Sequence, residues 1–370
     1  MTEQRNIDLA LSGGGIRAMV FHLGVLRRLA ELGQLEKVRR ISSVSGGSLI
    51  AGLIVTEAEM RWPGSNEFLS DIYPALREKL CRRSIMKGMI VRLLQPSHIR
   101  FLLNRANLLA YILNRDWGVK ARLRDLPQTP EFSFEGTTAE NGRRFRFKRD
   151  SMGDYESGYT GCGKLPLATA MAVSAAFPGG IGPLLLYTSP FDWVKRTDDP
   201  TPVTPPFEKL HLYDGGVYDN LGLEPFFDVN QNRPRRQDGY LLVSDAGAPF
   251  KKGFSMFALN PLRLKRVMEV MQEQCRALRV RGLHGFLNAN PGHGSYVWIN
   301  AGPKDPALLE LRDFAAGYPT TLSRMKPHDF DRLAEYGYQV ALDRIHAGQP
   351  AQTATAQSRF AEPEEALETW

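Results

Sequence analysis

The sequence predicts an α/β fold, with a mainly parallel central sheet, helices on both faces and a helical insertion near residues 60–125. Three observations carry this expectation. The first sixty residues read strand, turn, helix, strand, turn, helix. Short apolar strands return later, separated by helical or polar stretches. And 43% hydrophobic with 24% charged residues over 370 positions is the composition of a folded chain with material for a large core.

Ile7 to Leu11 is an apolar strand. Gly13, Gly14 and Gly15 break it, and Ala18 to Leu32 then shows helical spacing through Val20, Val25, Leu29 and Leu32, stopped at Gly33. Arg40 to Val44 is a second strand, Ser45-Gly46-Gly47 a turn, and Ser48 to Ala58 the next helix. Such an opening predicts parallel strands joined by right-handed crossovers. Phe132 to Gly136 and Arg144 to Phe147 read as a hairpin, and Leu165 to Ala176 as a small-residue helix. Leu210 to Tyr213 and Tyr240 to Ser244 read as buried strands, Pro261 to about Arg281 as a helix, and Tyr296 to Asn300 as a late strand. The Pro-rich stretch 198–206 is expected to be an irregular loop. Residues 1–346 are expected to form one domain, and the polar tail 347–370 to be loosely held.

Three cysteines far apart, Cys81, Cys162 and Cys275, exclude a disulfide scaffold and a CxxC metal site. No His, Cys and carboxylate cluster has ligand spacing, so neither metal nor other cofactor is expected. The polar start and the absence of a long apolar run predict a cytoplasmic protein without a leader or spanning helix. Charge is unevenly spread. Residues 75–124 hold twelve Lys/Arg against Glu78 and Asp116, a local +10 in a chain of net +7. The same stretch is rich in Met, Ile and Leu. Basic and apolar together describe either an interfacial helix on anionic lipid or a subdomain packing its apolar face inward. Nucleic acid is not expected as a partner, since aromatic residues are sparse there and no nucleic-acid motif occurs.

Three short motifs can carry chemistry. Ser45, in Ser43-Val44-Ser45-Gly46-Gly47, stands at a sharp strand-to-helix turn that lifts a hydroxyl out of a sheet, with small neighbours Gly46 and Gly47. The usual pattern is G-x-S-x-G, and Ser43 stands at its first glycine. A plain helix N-cap is the alternative. Gly13-Gly14-Gly15-Ile16-Arg17 offers unpaired amides for an anion or oxyanion. Its match to a dinucleotide fingerprint is weakened because no acid ends the second strand and no Walker lysine follows. Asp214-Gly215-Gly216 follows a strand at the edge where α/β sites are built, and a plain turn is the alternative.

Together, the glycine triplet with arginine, the serine elbow and the late Asp-Gly-Gly resemble the patatin-like phospholipases. Ala168 to Pro178 resembles that family's helix between nucleophile and aspartate. The resemblance covers about residues 7–250, and its departure is Ser43. It implies a three-layer α/β/α fold and a serine lipid acyl hydrolase acting on membrane phospholipid. By position it implies Ser45 as nucleophile and Asp214 as base of a dyad without histidine. It further implies Gly13, Gly14, Gly15 and Arg17 as the oxyanion site, with Gly46, Gly47, Gly215 and Gly216 in support. The family also contains membrane-degrading effectors that are switched on, which leaves an activating ligand or partner protein, and an oligomer, open for this chain. Peripheral contact with the inner membrane face is expected.

Two rivals stand beside this reading. A Ser-His-Asp hydrolase would use a histidine after Asp214, and His284, His293 and His328 all follow it, though each reads as a surface or capping residue. His22, within the first helix, reads as packed or partly exposed. A non-enzymatic membrane or nucleotide-binding module would use the glycine turns to cradle phosphate, and would be indifferent to Ser45→Ala.

Overall fold

A computed structural model describes residues 5–95, 97, 101, 104–236, 238–253 and 262–345. The chain opens with β1 (Asn6–Leu11), α1 (Gly15–Glu31), β2 (Val38–Ser43) and α2 (Gly46–Glu57), the βαβα unit expected, with α2 starting directly after Ser45. The insertion follows as α3 (Ser65–Glu67), α4 (Tyr73–Arg82), α5 (Ile85–Leu93) and α6 (Arg105–Arg115). Next come β3 (Glu131–Thr138), β4 (Arg144–Phe147), β5 (Ser151–Asp154), β6 (Gly158–Gly161) and α7 (Leu167–Ser174). Then β7 (Leu184–Tyr187), β8 (Trp193–Arg196), β9 (Asp199–Pro202) and β10 (Lys209–Asp214) lead to the one-turn α8 (Gly216–Asp219). A small hairpin, β11 (Phe227–Asp228) and β12 (Arg233–Pro234), precedes β13 (Gly239–Asp245) and the 28-residue α9 (Leu262–Ala289). The last elements are β14 (Gly294–Trp298), α10 (Leu309–Gly317) and α11 (Pro327–Arg344).

The strands β14, β13, β1, β2 and β3 lie side by side and all pair in parallel. In β1 every residue from Ile7 to Leu11 is buried, so both sheet faces are covered, as a parallel sheet requires. Beyond β3 the sheet continues through antiparallel β4, its expected hairpin partner, and then through β5, β6, β8 and β9, an extension the sequence did not announce. The stretch 198–206 is not the irregular loop expected: within it Asp199–Pro202 is the outermost strand of that extension, paired with β8. An edge strand tolerates Pro200 and Pro202 because a missing N–H on its open side breaks no ladder bond. The expected start of α9 at Pro261 and the tail 347–370 lie outside the described residues.

The insertion settles its apolar content largely inward. Leu76, Leu80, Ile85, Met89, Leu108 and Ile112 are buried, while Ile90, Val91 and Leu94 are exposed. Several of its cations have local partners: Arg82 pairs with Glu78, Arg92 with Asp116, and Arg105 donates to the Gly180 carbonyl at 2.8 Å. Arg100, Leu102 and Leu103 fall outside the described residues.

Two strands share one edge of β3, which positions the site. β2 pairs with its first half, Ser43 opposite Phe134, and β10 with its second half, Asp214 opposite Gly136. β4 occupies the other edge along Phe134 to Thr137. The C-terminal ends of β2 and β10 therefore meet end to end, and the residues that follow them converge.

Candidate active site

Ser45 has φ 50° and ψ −117°, a backbone conformation that few non-glycine residues adopt and that needs holding. The hold comes from α7. The Ser45 N–H donates to both the carbonyl and the Oγ of Ser174, each at 3.1 Å. Ser174 Oγ lies 2.7 Å from Ser48 Oγ, which in turn donates to Ser43 Oγ at 3.0 Å. The serine at the elbow's first position is thus accommodated by a buried chain of hydroxyls. The tight turn also explains Gly47, whose N–H donates to Val44 O at 2.8 Å and where any Cβ would collide with the backbone of Leu11.

Asp214 ends β10 at 4% exposure. Its carboxylate accepts a hydrogen bond from the Gly216 N–H at 2.7 Å. Burial strips its hydration and outweighs the opposing pull of the Gly216 amide and the neighbouring Ser45 hydroxyl, so its pKa is pushed up to about 7. The chain can turn sharply after it because Gly215 packs on the Glu135 carbonyl, where a Cβ would come within 2.5 Å. Asp219 serves the same loop differently: its carboxylate accepts from the amides of Leu221, Leu223 and Glu224 at 2.8–3.1 Å.

The glycine triplet lies against this pair. Gly14 and Gly15 have φ 145° and 61°, open to glycine and strained for other residues. Among the described residues their amides, and that of Gly46, donate to no backbone carbonyl. Gly15 and Gly46 adjoin, since a Cβ on Gly46 would stand 2.9 Å from Gly15 N. These three N–H groups, with the N-terminus of α2, are donors an oxyanion beside Ser45 could accept from. The Gly13 amide, by contrast, is committed to the Asn220 carbonyl at 3.0 Å, so Gly13 contributes close approach rather than a donor. Arg17 is 2% exposed and braces the loop, with Nε on the Ala246 carbonyl at 3.1 Å and Nη1 on the Tyr318 carbonyl at 2.8 Å. Burial lowers its pKa to about 10, against the pull of Asp245, and its Nη2 is buried without a partner next to Gly14.

His22, His284, His293 and His328 make their contacts with other groups. His22 is fully buried, bonded to Ser244 Oγ at 2.7 Å and to the Ser12 carbonyl at 3.0 Å, and burial lowers its pKa to about 4. His284 is not a surface or capping residue: it is 6% exposed, edge-on to Tyr296 and Trp298, because α9 packs this face on β14. His293 contacts the Pro291 carbonyl, and His328 is exposed beside Asp329. Among the described residues no histidine bonds to Ser45 or Asp214, and no three His, Cys, Asp or Glu side chains group as metal ligands. Nor is any helix among them long and apolar enough to cross a membrane.

Three contributors were not singled out from sequence: Ser174, Asn220 and Asp245. Asn220 closes the glycine loop onto the aspartate loop, its side chain wedged against Gly13 and Gly216. Asp245 ends β13 and accepts from Gly247 N at 2.9 Å, Tyr296 Oη at 2.7 Å and Arg276 Nε at 2.9 Å. Burial acts to raise its pKa, and these partners outweigh it, leaving Asp245 below the ordinary carboxylate value.

The patatin-like phospholipase family model matches residues 9–227. Among solved structures, human GIVD cytosolic phospholipase A2 superposes with a TM-score of 0.54 at 16% identity, covering 90% of this chain and 58% of that one. VipD from Legionella pneumophila superposes with a TM-score of 0.38 at 14% identity, covering 92% and 66%. At such identity the likeness to the human enzyme is one of fold, and this chain spans 58% of its length. No curated protein matches the chain. The family match covers more than half of the 370 residues and includes the glycine triplet, the serine elbow and Asp214, so the chain belongs to the patatin-like phospholipase family, a family of lipid ester hydrolases.

Proposed function

We propose that the chain is a serine lipid acyl hydrolase of phospholipase A or lysophospholipase type, working through a Ser45–Asp214 dyad. The observation that supports the reading is a serine held at φ 50° beside a buried carboxylate whose pKa is pushed up to about 7. A base of that pKa is half ionised at neutral pH and well matched to taking a proton there.

Ser45 Oγ attacks the ester carbonyl carbon of a phospholipid as its proton passes to Asp214. The carbonyl electron pair moves onto oxygen, where the Gly14, Gly15 and Gly46 amides receive it. Each such donor is worth on the order of 100-fold in rate or more. Collapse expels the lysolipid alkoxide, which takes the proton from Asp214 and leaves an acyl-serine. Water then attacks the acyl carbon, giving its proton to Asp214. The second collapse releases the fatty acid and returns the proton to Ser45. Arg17 braces the glycine loop and its cationic field favours the oxyanion. Residues 1–346 act as one catalytic domain with the insertion packed against it, in the cytoplasm and in peripheral contact with membrane.

A fluorophosphonate probe should label wild type at Ser45. Ser45→Ala should lose labelling and fatty-acid release while keeping its melting temperature and its binding to vesicles. Undiminished release by Ser45→Ala would sink the reading and favour a lipid-binding module.

A further inference from the structure

The helix α9 is longer than the crossover it makes. It joins β13 to the neighbouring parallel β14, a strand of 5 residues, yet runs for 28. At 1.5 Å per residue it reaches about 42 Å, against about 17 Å for the strand. The overshoot has a direction. Arg276, midway along α9, is clamped to Asp245, the last residue of β13. Residues N-terminal to Arg276 therefore project beyond the carboxyl edge of the parallel strands, by roughly 20 Å. That edge also carries Ser45, and Arg279 ties the same helix to Asp219 in the loop after Asp214 at 3.5 Å.

The projecting half bears an apolar stripe. Leu264, Val267, Met268 and Met271 recur at helical spacing, between 36% and 69% exposed. A groove of about 610 Å³ opens beside them, floored by Val267, Val270 and Met271 and bordered by Gly253, Arg263 and Arg266. The surrounding charge is one-sided. Residues 251–275 hold five Lys/Arg against Glu269 and Glu273, a net +3, and Lys251, Lys252 and Arg263 are exposed at its rim. Glu273 is itself turned to Arg276 at 3.1 Å.

We infer that the projecting half of α9 is the membrane-docking surface, seating its apolar stripe in the interfacial layer of an anionic bilayer with the basic rim at the headgroups. This rests on the acyl-hydrolase reading, whose substrate resides in that layer, and it locates the contact away from the basic insertion. The charge selects the occupant: a cationic rim around an apolar stripe complements anionic lipid, whereas a second copy of α9 would bring the same positive charge against itself. The clamp at Arg276 would hold the docked helix at a fixed height beside Ser45.

The test measures partition onto phosphatidylglycerol–phosphatidylcholine vesicles by sedimentation, hydrolysis of a short soluble ester, and oligomeric state. Val267→Glu with Met271→Glu should lower partition by about tenfold or more, with soluble-ester turnover kept within about twofold. Reversing Arg82, Arg83 and Lys87 to Glu should leave partition within about threefold. Met271→Trp, which keeps the surface apolar, should add an emission that shifts to the blue on vesicles and is quenched by doxyl lipid. Unchanged partition of the double variant, or an added emission in Met271→Trp that is indifferent to vesicles, overturns the inference. So does loss of partition only on reversal of the insertion's charges, or a wild-type dimer that the double variant dissolves without altering partition. If the double variant loses soluble-ester turnover too, the tryptophan variant decides. A wild type that docks through α9 yet releases no fatty acid would refute the acyl-hydrolase reading and leave the docking surface standing.

Discussion

Replacing Asp214 with asparagine should stabilise the protein near pH 8 while removing its activity, and the size of the gain follows from burial. The carboxyl is 4% exposed, and loss of hydration moves its pKa from 3.8 up to about 7 despite the Gly216 N–H and the neighbouring Ser45 hydroxyl. A carboxyl whose pKa is raised on folding binds its proton more tightly in the native state. Its contribution to stability is therefore full below about pH 3.8 and is lost as pH rises through about 7. At 1.36 kcal/mol per pH unit, that interval is worth roughly 4 kcal/mol. Asparagine keeps the shape, an acceptor for Gly216 N–H and a donor toward Ser45, with no charge to desolvate. For a chain of this length the unfolding entropy is about 0.8 kcal/mol/K, so the gain corresponds to a Tm rise of roughly 5 °C. Calorimetry of wild type and Asp214→Asn at about pH 5 and about pH 8 reads it directly, with the gap widening as pH rises. In parallel, kcat/KM of wild type should climb with an apparent pKa near 7, and the variant should lose on the order of 1,000-fold in rate. A variant that melts below wild type at about pH 8, or a gap independent of pH, refutes the reasoning.

Other outcomes follow from the same geometry. Ser174→Ala removes one of the two acceptors of Ser45 N–H and one of the two partners of the Ser48 hydroxyl, so kcat should fall about tenfold with KM nearly unchanged in steady-state assays. Gly47→Ala would drive a Cβ into the Leu11 carbonyl and should cost about 2–4 kcal/mol in denaturant titrations. His22, fully buried with its pKa lowered from 6.5 to about 4, contributes stability that is present above about pH 6.5 and lost as pH falls toward 4, about 3 kcal/mol in all. His22→Gln should flatten that acid-side fall in unfolding curves.

What could be read from the chain alone was whatever depends on local pattern. The βαβα opening has strong periodicity and glycine punctuation, and its elements fall within a few residues of expectation. The short strands beyond β4 carry no such signal: β5 and β6, with sequences SMGD and GYTG, gain their identity only by pairing. The insertion's composition fitted two environments, and composition cannot say which way a side chain points. At the site, Ser45 and Asp214 stand out by their flanking glycines. Ser174 and Asn220 do not, since their roles are hydrogen bonds to residues distant in the chain. His284 looks polar in sequence and is buried because the α9 face above β14 is enclosed by aromatic rings.

The end-to-end meeting of β2 and β10 on one edge of β3 has a consequence for biosynthesis. A ribosome delivers Ser45 early, on a nascent segment whose central strand β1 still lacks its partner β13. The carboxylate arrives only with residue 214, and the clamp of Asp245 on α9 only after Arg276 has emerged. Contacts of such long sequence separation form late and slowly. If Ser45 and Asp214 form the proposed dyad, the polypeptide stays silent until the residues up to Arg276 have left the ribosome, long after the serine itself.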